Sequence, residues 1–390
     1  MIRRIESWIS ILLVAIGGAY LVLKALQSSV FPVDFQYISL AGKLWHEDLD
    51  PYSDVFLKIG AESFIATTSL TAWFYPPSWW PIVTPLGRFP FEQGAMLWRA
   101  ASVPLVIIGC GSLAVAAKTL STSYLRQAVF FAAVCLSSAT PLAIGLGQTS
   151  LWVFCGLCLS LAAYLQNNRL LMVVGLYFLM LKPQMGLPVC FFLLGSRFWW
   201  ASLGGGAVLS LLAAAPAIHP AGMKDFLERY LARLDAYQIL EPNSAGNMTG
   251  LRNLVFQAMD ISISNTAFIL SAALLSFLLG RWFQGRERKD MILAGMLAIA
   301  FFLVPLQNYD TMLVFVIVPL LANFSLLAQA VAGLGLLTIL RSNNLSAFLG
   351  GVDATALEKQ SELINSCGLA LIAGAVLFEL LFQNRRETEV

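Results

Sequence analysis

Charge is scarce in this sequence: Asp, Glu, Lys and Arg make up 12% of 390 residues, against about a quarter in an ordinary soluble domain. Together with 58% hydrophobic residues, that scarcity excludes a water-soluble globular protein. Histidine is nearly missing, with two residues, and the six cysteines are scattered. Neither a His-rich or Cys-rich metal centre nor a disulfide framework has the material to form. Acid and base almost cancel (24 basic, 22 acidic, net +2), which speaks against nucleic acid as a partner. There is no internal repeat, no Gly-rich phosphate loop, no Ser/His/Asp set and no metalloprotease helix. Cys155-x-x-Cys158 sits in an apolar stretch without further ligands and reads as packing.

What is present is a series of long charge-free runs, the pattern that spanning a bilayer requires. The first, Trp8 to Leu23, follows the basic Arg3-Arg4 and ends at Lys24, so 8–27 reads as a retained helix whose start is cytoplasmic. No charge occurs between Arg126 and Arg169, enough for two spans with a break at Gly145-Leu146-Gly147-Gln148-Thr149. Further apolar stretches lie at 91–117, 170–194, 199–218, 261–279, 291–306, 311–322, 326–340 and 363–382, with a short Pro-broken one at 76–86. At about 20 residues per crossing these give an all-α polytopic membrane protein of about twelve transmembrane helices. The chain reads as a single domain over 1–390. Residues 28–75 form a first outer loop, 76–218 a transmembrane core, 219–260 a second outer loop, and 261–382 the C-terminal helices.

Charge orients this arrangement. The first loop holds six acids (Asp34, Glu47, Asp48, Asp50, Asp54, Glu62) against Lys43 and Lys58, and fits the outside. Arg281, Arg286, Arg288 and Lys289 cluster in one short loop and fit the inside, as does Arg385-Arg386. The sidedness of the Gln148 and Arg169 loops depends on whether 76–86 crosses. Within the first loop, Tyr37, Leu40, Ala41 and Leu44 recur at helical spacing, which predicts an amphipathic juxtamembrane helix; 56–72 is a second candidate.

Several polar residues stand where chemistry is conceivable, and each has a plainer reading. Asp34 follows the first span directly and is either a carboxylate poised at the membrane boundary or a helix N-cap. Asp48-x-Asp50 offers hard oxygens to a divalent metal, or is simply a solvated acid cluster beside the interfacial His46. Lys182-Pro183 falls inside the apolar run 170–194, where a lysine faces a cavity or anion, or else snorkels to the interface. Gln148 is a polar donor or a helix–helix contact. Arg252, in Gly246-Asn247-Met248-Thr249-Gly250-Leu251-Arg252, has the fork that binds phosphate, or is an ordinary surface arginine. Asp310, in Gln307-Asn308-Tyr309-Asp310, is an intramembrane carboxylate or a loop cap.

The order of these motifs is more specific than any one of them. Asp34-Phe35-x-Tyr37, Asp50-Pro51-Tyr52, Phe74-Tyr75-Pro76-Pro77, Gly147-Gln148-Thr149, Leu181-Lys182-Pro183, Gly246-Asn247-x-Thr249 with Arg252, and Asn308-Tyr309-Asp310 follow one another over about 8–325. The series resembles the GT-C membrane glycosyltransferases, and within them glycosyltransferase family 87, which includes polyprenol-phosphate-mannose-dependent mannosyltransferases. The resemblance implies a GT-C fold and transfer of a sugar from a polyprenyl-phosphate donor to a glycan or glycolipid acceptor. It places the active site outside the bacterial cytoplasmic membrane, and implies membrane lipids as surroundings and no further cofactor. Asp34 takes the place of the base. Lys182 and Arg252, with Gln148 and Asn247, are candidates to hold the donor phosphate, and Tyr37, Tyr75, Asn308 and Asp310 to contact substrate. Asn308 and Asp310 stand where the mannosyltransferases would carry a histidine, which separates this chain from that pattern. A polytopic transporter or lipid-linked-sugar flippase is the alternative on composition alone.

Overall fold

The computed structural model describes residues 2–28, 30–63, 73–120, 122–196, 198–218, 222–238, 243–284, 288–348 and 354–388. These residues are helical nearly throughout, and the only β pairing among them is a single antiparallel bridge between Thr249 and Leu306. The chain opens with α1 (Ile2–Leu26), whose apolar face is largely exposed, as lipid contact demands. Next come α2 (Val33–His46) and α3 (Asp54–Ser63), in the segment read from sequence as the first outer loop. The helix expected from Tyr37, Leu40, Ala41 and Leu44 is therefore present, but it does not lie open on a surface: Phe35 through Ile38, Leu40 through Gly42, Leu44 and Trp45 are all buried. Of the second candidate, residues 64–72 lie outside the described residues.

The stretch 76–86 does not cross. It folds into a succession of tight helical turns, Pro77–Trp79, α4 (Trp80–Val83) and Thr84–Arg88, held by prolines at their first positions. Gly42 and Gly87 let α2 and the last of these turns approach backbone to backbone, where an added methyl group would meet main-chain atoms. Then follow α5 (Phe91–Ala117), α6 (Tyr124–Leu136), α7 (Ala139–Leu146) and α8 (Ser150–Gln166). α6 and α7 meet at a bend of 46° and together are long and apolar enough for one span. The break expected at Gly147 is real: Gly147 adopts φ +76 and ends α7 in the left-handed conformation that suits glycine.

The run 170–194 is not one helix with a lysine inside. It is a hairpin of α9 (Arg169–Met180) and α10 (Pro183–Gly195), with Lys182 at its turn and Pro183 at the first helical position, where its missing N–H costs nothing. The two outer ends of this hairpin meet, since the Arg169 guanidinium lies 4.7 Å from the Phe198 ring just beyond α10. The chain continues through α11 (Trp200–Ile218), α12 (Met223–Gln238), α13 (Leu251–Met259), α14 (Asn265–Trp282) and α15 (Lys289–Leu303). A 3₁₀ helix, Asn308–Asn323, precedes α16 (Leu326–Leu340), α17 (Ser342–Phe348) and α18 (Ala354–Thr388).

Five described helices are long and apolar enough to cross a membrane, α1, α5, α11, α14 and α18, and the bent α6–α7 pair makes a sixth. The other apolar stretches counted toward about twelve crossings are shorter: α8, α9, α10, the 3₁₀ helix and α16 have 10–17 residues. The difference follows from position. α8 and the 3₁₀ helix are buried along nearly their whole length, so protein and not lipid surrounds them. A 3₁₀ helix also rises about 2.0 Å per residue, so these 16 residues reach about 32 Å, close to the hydrocarbon thickness.

The bundle has two chemically different ends. At one, Lys289 Nζ caps α8 through the carbonyls of Tyr164 and Leu165, Arg288 pairs with Asp290, Asn323 bonds Leu120 and Asp290, and Arg126 bonds Gln329. The other end gathers Asp34, Gln148, Ser150, Lys182, Gln307 and Asp310. Gln148 thus lies at the Asp34 end and Arg169 at the basic end of the bundle.

Candidate active site

Asp34 is the second residue of α2, whose N-cap is Pro32 and carries no side-chain cap bond, so capping is not its role. Its neighbour Phe35 presses against Gly147: a Cβ there would stand 2.6 Å from the Phe35 Cβ. Arg99 fastens the same region, donating to the carbonyls of Val30 at 2.6 Å and Gly145 at 3.2 Å. This packing delivers the Gln148 side chain to the Asp34 carboxylate as a hydrogen-bond donor. Burial pushes the Asp34 pKa up to about 6; the Gln148 bond and the Lys182 charge hold it down, and the Asp310 charge adds to the rise. The Gln148 carbonyl oxygen and the Thr149 hydroxyl are buried without a protein partner, leaving acceptor and donor capacity beside Asp34.

The strongest polar contact joins residues 128 positions apart. Lys182 Nζ lies 2.6 and 2.7 Å from the two Asp310 carboxylate oxygens, with side chains only 8% and 3% exposed. Ser150, the first residue of α8, donates to Asp310 at 2.5 Å, and the Gln307 N–H donates to the same carboxylate at 3.4 Å. Asp310 is therefore both a helix cap and a buried carboxylate. Lys182 does not snorkel; it turns inward, its ammonium 5.2 Å from the Tyr309 ring. Trp79 secures the Lys182 turn by donating to the Leu181 carbonyl at 2.8 Å. Behind it Trp79, Trp98, Trp152 and Phe178 form a continuous aromatic wall with centroid spacings of 6.0, 5.6 and 5.8 Å.

A cavity of about 220 Å³ opens at this pair. Lys182, Asp310, Tyr309, Gln307 and Gln184 provide its polar lining, while Phe74, Tyr75 and Ile269 contribute apolar surface. Tyr230 and Leu234 of α12 close over it. The two outer loops are bound to each other above the cavity: Arg229 pairs with Asp50 at 2.7 Å, and Arg233 with Asp54 at 2.8 Å. Tyr52 is wedged edge-on against Phe226 and Tyr230.

Of the residues singled out from sequence, Lys182, Asp310 and Tyr75 line the cavity. Asp34 and Gln148 form a second layer behind the Lys182–Asp310 pair and are not part of the lining. Arg252 is buried and outside the cavity lining; it spends Nε on the Ile263 carbonyl and one Nη on the carbonyl of Asn243, a lining residue, so it braces the loop that borders the cavity. Asn247 sits half-buried in that loop, outside the cavity lining. Tyr37 is buried against Phe56, and Asn308 turns to α18, where it donates to Ser361 and accepts from Asn365. Asp50, proposed with Asp48 as a metal ligand, is engaged by Arg229 and the Tyr52 N–H. No cluster of three or more His, Cys, Asp or Glu side chains suited to a metal occurs among the described residues. The sequence reading missed Ser150, Gln307 and Trp79. Ser150 was within reach, since it directly follows the Gly147-Gln148-Thr149 motif, but nothing local announces a partner in Asp310.

A buried ion pair under a cavity, at one end of an apolar helix bundle and roofed by two polar loops, marks a membrane protein with an internal polar site. Residues 73–307 match the model of glycosyltransferase family 87, and the chain belongs to that family of GT-C-like membrane glycosyltransferases. Its activity is accordingly that of a glycosyltransferase, which displaces the transporter alternative. No curated protein matches it. The matched region, residues 73–307, holds Gln148, Lys182 and Arg252; Asp310 lies just past its end, and Asp34 falls well before its start, in a part of the chain the match does not cover.

Proposed function

We propose that this chain transfers a sugar, mannose or a related pentose or hexose, from a polyprenyl-phosphate donor to a hydroxyl of an extracytoplasmic glycan or glycolipid, with Asp34 as general base. The observation that carries the reading is a lysine buried at the floor of a cavity on the Asp34 end of the bundle. In the reaction the acceptor oxygen attacks the anomeric carbon and the bond from that carbon to the phosphate oxygen breaks. The phosphate leaves with the electron pair, and the acceptor proton passes to Asp34. A phosphate can depart without protonation, so one carboxylate suffices where a glycoside hydrolase needs two. Its growing charge calls for a nearby cation, and Lys182 is the one that lines the cavity.

The two carboxylates differ in fitness as bases. Asp310 receives Lys182 on both oxygens, with Ser150 and the Gln307 N–H in addition, all of which stabilise its charged form. Asp34, with a pKa pushed up to about 6, holds a proton more readily, as a base working near neutral pH should. Asp34 is not among the cavity-lining residues, and movement of Lys182 from Asp310 onto the donor phosphate is the step we assign to bringing the acceptor hydroxyl to it. The alternation of helix ends supports a twelve-pass chain with the cavity end outside and the basic end in the bacterial cytoplasm, the sense that positive charge prefers.

Purified protein in proteoliposomes with a panel of polyprenyl-phosphate sugars tests the proposal. Release of polyprenyl phosphate coupled to sugar transfer supports it. Transfer only from nucleotide sugars would contradict it.

A further inference from the structure

At the basic end, opposite the cavity, a groove of about 490 Å³ runs along the lipid-facing side between α6, the 3₁₀ helix and α16. Its walls are Leu125, Val129, Phe315, Val318, Leu336 and Leu337. It is open at Gly333, where a built-out Cβ would meet nothing within 4 Å. A cleft of this kind on a membrane-embedded surface is filled by hydrocarbon, since no water is available to fill it. At the mouth stands Arg126, the only charged residue of the lining. Its partner is the neutral Gln329, 2.9 Å away. Lys182, Arg229, Arg233 and Arg288 each meet a carboxylate and Arg99, Arg252 and Lys289 are spent on backbone carbonyls, whereas Arg126 has a single side-chain amide as its partner and lines an apolar groove. A guanidinium at the membrane boundary without an acid, above an apolar cleft, matches an amphiphile with one anionic phosphate and one acyl chain.

We propose that this groove binds an anionic phospholipid of the surrounding leaflet, its phosphate on Arg126 and its chain along α16. The site is far from the sugar-transfer chemistry and stands independently of it.

The test is native mass spectrometry of the full chain in neutral detergent, with dioleoyl phosphatidylglycerol or dioleoyl phosphatidylcholine at equal concentration. Wild type should retain the anionic lipid about fivefold over the zwitterionic one, the preference one basic residue gives near a membrane surface. Arg126→Gln should bring the ratio to parity. Gly333→Leu, which fills the groove without a clash at Cβ, should lower retention of both lipids while the thermal unfolding midpoint stays within a few degrees or rises. Equal retention by wild type, an unchanged ratio in Arg126→Gln, or undiminished binding in Gly333→Leu would overturn the proposal.

Discussion

Each end of the bundle buries an aspartate against a cation, and the two pairs are built differently. At the basic end Arg288 reaches Asp290 through Nε at 3.0 Å and Nη2 at 3.2 Å, a two-pronged grip completed by Asn323 at 3.1 Å. Arg288 is 30% exposed, so solvent shares its charge. At the other end Lys182 meets Asp310 with both side chains nearly sealed from solvent, and a cavity opens beside them. An arginine fork is a fixed joint; a lysine ammonium is a compact charge on a flexible stem that can exchange one anion for another. Burial of an ion pair alone therefore does not mark a site. A buried, exchangeable cation beside empty space does.

The comparison can be broken first at its stronger member. Lys182→Met leaves Asp310 buried and uncompensated, and should cost about 3–5 kcal/mol of stability together with transfer. Adding Asp310→Asn should restore most of the unfolding midpoint but none of the activity; recovered activity in the double variant would separate Lys182 from the chemistry. At the other end, Asp290→Asn should cost about 1–3 kcal/mol with sugar transfer per folded molecule unchanged, because that pair faces no substrate. A selective loss of turnover there would erase the distinction between the two ends.

A pH profile sharpens the contrast at smaller cost. The folded Asp34 pKa lies near 6, above its ordinary value of 3.8, so the active carboxylate form is lost as pH falls through 6. Turnover should be level above about pH 7 and fall about tenfold per unit below 6, with Asp34→Glu moving that limb. The same raised pKa means the protonated form is favoured by the fold, so this group's contribution to stability declines as pH rises from about 4 to 6. At Gly147→Ala the backbone at φ +76 should cost about 1–2 kcal/mol and the Phe35 contact about 1–3 kcal/mol more, read as a lowered unfolding midpoint, and the change should loosen Gln148 from Asp34.

How much of this was legible in the sequence depends on distance along the chain. The first span, the α2 helix, the break at Gly147 and the basic cluster at 281–289 all announce themselves locally, through hydropathy, helical spacing, glycine and charge sign. The hairpin at Lys182 did not. A reversal in an apolar run ordinarily needs a polar loop, but here Trp79 satisfies the Leu181 carbonyl and Asp310 satisfies the lysine, both from far away in sequence. Hydropathy also reports an apolar stretch without reporting its reach, which is why 12 residues of α9, about 18 Å long, looked like part of a crossing. Arg252 misled for a related reason: a phosphate-binding fork and a fork spent on backbone carbonyls have the same sequence. The region beyond 325, silent in sequence, turns out to carry Ser361 and Asn365 against Asn308 and Glu362 against Thr249, bracing the loops that border the cavity.

The most direct measurement compares single-turnover sugar transfer from a polyprenyl-phosphate donor by wild type, Asp34→Asn and Asp310→Asn in the same proteoliposomes. Loss of ~10²–10⁴ in rate for Asp34→Asn with donor binding retained is the result expected of a positioned base. Wild-type turnover in Asp34→Asn would contradict the account, and loss confined to Asp310→Asn would transfer the base to Asp310.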